Sequence, residues 1–325
     1  MPENSSKPNA PDPLARAPLA YEDLDFLNSP DARMIRILSE YQEPLVRFRR
    51  ERIEDTVVFF GSARFRARSV ADQNLELLEN TGSAAAAPEP EQPATPEQIA
   101  AGDASALKLS LAHSAVEMSR YYEDARTLAC KIATWAKTLP GPRHRFVITS
   151  GGGPGIMEAA NRGAWDAGAK TIGLNIKLPF EQYPNAYISP ELNFEFSYFF
   201  MRKFWFAYLA KALVVFPGGF GTIDEMFELL TLVQTHKLAK DLPVVIYGSE
   251  YWKSVLNLEL LAAKGAIAQK DLDLFQFADT PDEAFAILQP ALAAAVADDA
   301  TDHPPADPAP TAQQTLGPDI TKTRP

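Results

Sequence analysis

The segment ALVVFPGGFGTIDE, residues 212–225, concentrates more groups capable of chemistry than any other stretch of the chain. An apolar run ending at Phe216 stops at Pro217. Gly218, Gly219, Gly221 and Thr222 follow, and Asp224 and Glu225 open a helical pattern. A buried strand that enters a helix through so tight a turn brings several unpaired backbone N–H groups to one point, where the helix end also carries partial positive charge. Such a point is a seat for phosphate. Two other turns have the same setting: Gly61-Ser62 follows TVVFF, and Gly151, Gly152, Gly153 and Gly155 follow FVITS. In a parallel sheet all three turns fall at the carboxyl edge, a convergence that turn geometry alone does not demand.

The second chemical feature is the pair Arg202-Lys203 inside SYFFMRKFWFAYLA. Consecutive helical positions are about 100° apart, so both cations cannot snorkel from one buried stripe. Either they share a thin solvent-facing edge, or they line an anion pocket in which arginine gives bidentate contact and lysine a point charge. Glu225 also reads two ways. Thr222-Ile223-Asp224-Glu225 fits a T-x-x-E capping box, in which the glutamate only reaches back to the Thr222 N–H; the alternative is an acid facing a bound ligand. The turn Gly151–Gly155 and the loop carrying Ser62 and Arg64 likewise have purely structural readings.

Several chemistries are disfavoured. Dinucleotide binding needs G-x-G-x-x-G and a later acidic residue, but Glu158 stands where the third glycine belongs, and the next strand ends in Lys177. No glycine turn is followed by Lys-Ser or Lys-Thr, so a P-loop is absent. The turns therefore suit a single phosphate, as in a nucleoside monophosphate or sugar phosphate. The four histidines lack metal-ligand spacing and there is one cysteine, Cys130, so no metal site is expected; Cys130 is read as a small core residue. No G-x-S-x-G elbow is present. A net charge of −11 repels nucleic-acid backbone, and no nucleic-acid partner is expected. The start MPENSSKPNA lacks signal-peptide features, and no run of about 18 apolar residues suggests a membrane span. A cytoplasmic protein without membrane contact is the expectation.

The elements that must position these residues alternate along the chain. Strands are expected at 56–61, 146–149, 171–176, 213–216 and 243–247. Helices are expected at 107–139, after Gly155 to about 168, at 199–211, to about 237 after the glycine turn, at 251–264 and at 281–297. Continuous apolar strands between helices predict an α/β fold, a Rossmann-like doubly wound parallel sheet flanked by helices. One domain over 31–298 is expected. It carries a helical preface at 31–53, interrupted near Pro44, and a flexible Pro/Ala/Glu-rich insertion at 81–105. Residues 1–30 read as mostly disordered, and 299–325 as a disordered tail.

GSAR at 61–64, SGGGPGIMEAANRGA at 150–164, LPFEQ at 178–182, MRK at 201–203 and PGGFGTIDE at 217–225, in this order, resemble the LOG (Lonely Guy) family over about residues 56–290. The long form is similar to its larger bacterial branch. The resemblance implies a phosphoribohydrolase that cuts the N-glycosidic bond of a purine, including cytokinin, nucleoside 5′-monophosphate, with no cofactor. Members have often been labelled lysine decarboxylases, yet nothing here resembles a pyridoxal-phosphate site. The resemblance further implies Arg202 and Glu225 as the catalytic pair, with Lys203 adjoining. Gly218, Gly219, Gly221 and Thr222 would cradle phosphate. Ser62, Gly152, Gly153 and Met157 would line the base and ribose side, with Glu181 and Thr231 as further substrate contacts. It also implies a homodimer with the Arg-Lys helix near the interface. A nucleotide sensor without chemistry, and a carrier of a phosphorylated cofactor such as molybdenum cofactor, are the alternatives.

Overall fold

The computed structural model describes residues 16–84, 96–178, 183–235, 237 and 242–302, with backbone alone at 81–84, 96–103 and 298–302. Glu181 lies outside the described residues, as do positions 1–15, 85–95 and 303–325 of the segments read as disordered.

Among the described residues seven strands form one parallel sheet in the order β4-β3-β2-β1-β5-β6-β7. They are β1 (Thr56–Phe60), β2 (Val147–Ser150), β3 (Thr171–Ile176), β4 (Asn193–Phe196), β5 (Ala210–Val215), β6 (Val244–Tyr247) and β7 (Gln276–Ala278). All six pairings are parallel. The expected α/β doubly wound architecture is therefore present.

Side chains alternate across each strand, and both faces are apolar. On one face Val57, Phe59, Ile148, Val214 and Tyr247 pack under α4 (Pro96–Ala136), α5 (Ile156–Asp166) and α10 (Pro281–Asp302). On the other, Val58, Phe60, Leu174, Val215 and Ile246 pack under α2 (Arg33–Arg50), α6 (Phe199–Tyr208), α7 (Phe220–Gln234) and α8 (Ser249–Val255). Coverage on both sides explains why the central strands read as unbroken apolar runs rather than alternating ones.

Parts of the segments expected to be disordered are helical. A short helix, α1 (Leu24–Asn28), is capped by Asp23, whose carboxylate accepts the Phe26 N–H at 3.0 Å. The Arg36 guanidinium ties it to α2 by donating to the Leu27 and Ser29 carbonyls at 2.6 and 2.7 Å. The helix α3 (Arg68–Ala84) runs into the alanine-rich insertion, and α4 begins at Pro96, so residues 81–84 and 96–105 are helical. Proline suits a first helical position, and the Glu, Gln and Ala that follow are strong helix formers. The 41 residues of α4 span about 60 Å, and α3 packs along it. At the other end, α10 continues to Asp302, beyond the expected 297.

Pro44 does not interrupt α2, which runs continuously past it. The ring is buried, and its cost is one missing intrahelical hydrogen bond. The expected helix at 251–264 is two: α8, and α9 (Leu258–Ala263), separated by an extended Leu256 and started afresh by the Asn257 cap. Cys130 is half-buried rather than in the core.

Candidate active site

The strand order reverses direction between β1 and β5, which are neighbours although β2 follows β1 in the chain. Open α/β sheets hold their ligands at such a switch point, outside the carboxyl ends of the strands. Phe60 pairs with Val215 in register, so the loops after β1 and β5 leave the sheet side by side. Ser62 joins three loops. Its N–H donates to the Pro217 carbonyl at 3.0 Å, and its own carbonyl accepts the Ile156 N–H at 3.0 Å. Its hydroxyl accepts the Arg64 N–H at 3.1 Å. The three glycine turns expected to converge do so here.

The turn after β5 is built for close approach on one side and openness on the other. A side chain at Gly218 would stand 2.1 Å from the Thr222 hydroxyl and 3.0 Å from the Ser62 nitrogen, so only glycine fits. The Tyr251 hydroxyl pins the turn by donating to the Gly218 carbonyl at 2.9 Å. Gly219 and Gly221 have nothing within 4 Å where a side chain would begin. Between them Phe220 is 92% exposed. Gly219 is the N-cap of α7, and the first intrahelical bond is Ile223 N–H to the Gly219 carbonyl at 3.0 Å. The N–H groups of residues 220–222 therefore stand outside the helical ladder, beside two glycines that leave the approach clear. Thr222 is buried in this first turn. It is not an N-cap, which removes the capping-box reading of Glu225.

Glu225 lies one turn further on, 6% exposed. Its Oε1 accepts from Arg202 Nη2 at 3.2 Å, and its Oε2 is 3.4 Å from Lys203 Nζ. The Arg-Lys pair of α6 thus faces α7 rather than a solvent edge. Met201, Trp205 and Phe206 fill the core on the remaining side of α6. Burial raises the Glu225 pKa, and the nearby Lys203 and Arg202 charges only partly oppose it. A neighbouring arginine by itself would favour ionisation of Glu225; in the folded protein desolvation outweighs that attraction. Burial likewise lowers the Arg202 pKa against the pull of Glu225 and Asp224. The guanidinium lies 5.2 Å from the Phe199 ring and 5.7 Å from the Phe206 ring, and its buried Nε has no hydrogen-bond partner. One donor of the Arg202 guanidinium is therefore unsatisfied within the fold.

Lys203 is differently engaged. It pairs with Asp224 at 2.8 Å, with Glu225, and with Glu228. Burial works against its charge, but the bonds to Asp224 and Glu228 outweigh this and hold its pKa above the usual lysine range. It neutralises a carboxylate cluster on α7 rather than serving as a free point charge in an anion pocket.

The turn after β2 is held by a polar network that the sequence reading did not single out. The Ser150 hydroxyl donates to Asn161 Oδ1 at 2.6 Å and accepts the Gly152 N–H at 3.0 Å. Asn185 Nδ2 donates to Asn161 Oδ1 at 2.9 Å and to the Gly152 and Gly153 carbonyls at 3.0 and 3.1 Å. Gly152 has φ of +73°, and a side chain there would stand 2.3 Å from the Asn175 amide oxygen. Asn161 is fully buried on the face of α5 that also carries Ile156, Ala159, Ala160, Gly163 and Ala164, and an amide among those small apolar residues was the available signal. Gly152 and Gly153 are buried, and Met157 is half-buried with its sulfur over Gly151. Thr231 sits farther along α7, exposed, with its hydroxyl donating to the Phe227 carbonyl at 2.7 Å. It is not drawn into the Arg202–Glu225 cluster. Among the described residues no group of three or more His, Cys, Asp or Glu could hold a metal ion. No described helix is long and apolar enough to cross a membrane.

Residues 157–288 match the family described as "Possible lysine decarboxylase", the LOG-type family that the motifs resemble. No curated protein matches the sequence. Among solved structures, the molybdenum cofactor binding protein of the phototrophic bacterium Rippkaea orientalis is 18% identical. It covers 52% of this chain and 86% of its own, with a TM-score of 0.38. The molybdenum cofactor carrier protein of Chlamydomonas reinhardtii is 24% identical, over 54% of this chain and 89% of its own, with a TM-score of 0.36. The protein TM1055 is 21% identical, over 53% of this chain and 89% of its own, with a TM-score of 0.38.

Proposed function

Starting from the match of residues 157–288 to the LOG-type family, we propose that the chain hydrolyses the N-glycosidic bond of purine nucleoside 5′-monophosphates, cytokinin nucleotides among them. The observation that carries this reading is the 3.2 Å contact between Arg202 and Glu225 beside the open turn Gly219–Gly221. The 5′-phosphate docks on the free N–H groups of the α7 N-terminus, with the Arg202 guanidinium as a nearby positive charge. That anchoring sets C1′ of the ribose near the Glu225 carboxylate. As the C1′–N bond breaks, C1′ gains oxocarbenium character, which the carboxylate stabilises. Water adds to C1′, its proton passes to Glu225, and the departing base takes up that proton. A carboxyl whose pKa is raised by burial is a better proton acceptor for this step than an ordinary glutamate. Lys203 pairs with Asp224 and Glu228 and so offsets part of the negative charge around Glu225.

Lys203, held by three carboxylates, is not free to form an imine with a carbonyl group. We also propose a homodimer through α2 and α6. Phe199, Phe200, Phe204 and Tyr208 are 52%, 53%, 37% and 49% exposed, and Met34 and Leu38 on the adjoining helix are 72% and 63% exposed. Phe199 also flanks Arg202, so a partner covering this patch would shelter the site.

The test is incubation with a panel of nucleoside monophosphates, including the isopentenyladenine nucleotide, with free base and ribose 5-phosphate read by chromatography. Release of base from at least one purine nucleotide is expected. Thermal stabilisation by nucleotide without base release would instead make this a sensor, and a copurifying pterin chromophore would make it a carrier.

A further inference from the structure

The turn after β5 is clamped from both neighbouring strands. β5 lies between β1 and β6 in the sheet. From the loop after β1, the Ser62 N–H donates to the Pro217 carbonyl at 3.0 Å. From α8, beyond β6, the Tyr251 hydroxyl donates to the Gly218 carbonyl at 2.9 Å. A trans peptide points its carbonyl and its N–H in opposite directions. Two successive carbonyls turned toward protein donors therefore turn the Gly218 and Gly219 N–H groups away from those donors. Neither N–H has a partner among the described residues. Successive main-chain N–H groups left free in this way make a concavity for an anion.

The two peptide units are not equally secure. The unit between Gly218 and Gly219 has glycine on both sides. Turning it over would carry Gly219 from its φ of −95° into the positive range, which glycine adopts about as readily as the negative one. The unit would then present a carbonyl oxygen where the N–H now stands, and that oxygen repels an anion. The hydroxyl of Tyr251 is the side-chain group that opposes this. Its own place is fixed. α8 starts at Gly248, where a side chain would stand 2.8 Å from the Tyr121 ring and 3.2 Å from the Pro217 ring. The Ser249 N–H and hydroxyl donate to Asp279 at 2.7 and 2.6 Å. Burial raises the Tyr251 pKa, so the phenol keeps the proton that it donates.

We propose that Tyr251 is a positioning residue of the phosphate seat: by holding the Gly218 carbonyl it keeps the Gly219 N–H turned toward the 5′-phosphate. This rests on the reading of the α7 N-terminus as that seat. The test compares wild type with Tyr251→Phe, which keeps the ring and removes only the donor. Calorimetric titration of the full chain with inorganic phosphate and with ribose 5-phosphate reads the seat without turnover. Tyr251→Phe should weaken both about fivefold, the worth of one hydrogen bond. In base release from a purine nucleoside monophosphate, KM should rise by the same factor with kcat unchanged, the mark of lost ground-state binding. A folded Tyr251→Phe that binds both phosphates as wild type does overturns the assignment. So does a fall in kcat with KM unchanged. A second measurement needs no variant. Inorganic phosphate titrated into wild type should move the amide NMR resonance of Gly219 together with those of residues 220–222. Movement at 220–222 with Gly219 unmoved overturns the role of Tyr251 and leaves the seat in place. No movement at any of them removes the seat, and this inference with it.

Discussion

Two buried arginine–carboxylate pairs stand at opposite edges of the sheet, and they are built differently. At the amino edge, Asp55 Oδ2 accepts from Arg145 Nε at 3.0 Å and Nη2 at 2.5 Å, while Oδ1 accepts the Phe146 N–H. That bond braces Phe146 at φ of +54°, a conformation a phenylalanine rarely adopts. At the carboxyl edge, Glu225 receives one 3.2 Å bond from Arg202, whose Nε is left over. Burial raises the pKa of both acids. What differs is satisfaction: the first pair is closed and holds the starts of β1 and β2 together, while the second keeps donors in reserve beside open glycines. A buried charge pair with unused hydrogen-bonding capacity at a switch point is the one equipped for a ligand.

The contrast breaks most visibly at the closed pair. Arg145→Ala leaves Asp55 buried without its partner and should cost about 3–5 kcal/mol, seen as a lower urea midpoint, with turnover per folded molecule unchanged. If Arg202→Ala destabilises as much, the two pairs are equally structural and the distinction fails. Next in size, Glu225→Gln should reduce turnover about 100-fold. Its stability at neutral pH should change by less than about 1 kcal/mol, because a carboxyl with a raised folded pKa contributes less to stability once ionised.

The glycine turn sharpens the comparison further. Gly218→Ala overpacks against Thr222 and Ser62 and should cost about 1–3 kcal/mol in a thermal melt. Gly219→Ala meets open space and should leave stability within about 0.5 kcal/mol, while raising KM about tenfold by obstructing the anion. The smallest effect concerns pH. Activity should fall as pH drops through the Glu225 pKa, with a midpoint above 4.5. A limb caused by the substrate phosphate, near about 6, would persist in the residual activity of Glu225→Gln, whereas the Glu225 limb would vanish.

The parts of this molecule that were legible in the sequence are those in which local pattern and tertiary role agree. The strands at 56–61 and 213–216 read correctly because both of their faces are buried. PGGFGTIDE read correctly as a strand–turn–helix because glycine and proline punctuate it. β4, NFEF, was missed: its exposed–buried alternation marks an edge strand, and it follows Pro184 and Pro190. β7 has only three residues. The Arg-Lys pair looked equally suited to a solvent edge until α7 was seen to face it. The Ser150–Asn161–Asn185 network joins residues from a strand end, a helix and a loop, and no spacing rule links those. The sign of the Glu225 shift was also out of reach, since burial is a property of the assembled fold.

The long α4, with α3 along it, has a practical consequence for anyone counting subunits. A helix of about 60 Å, built into the core from Tyr121 onward and paired with α3 over its earlier turns, beside strands of roughly 10–20 Å, adds friction out of proportion to its mass. In gel filtration against spherical standards a single chain would elute early and imitate an oligomer. Only a direct mass measurement, such as light scattering, separates that drag from true association through α2 and α6.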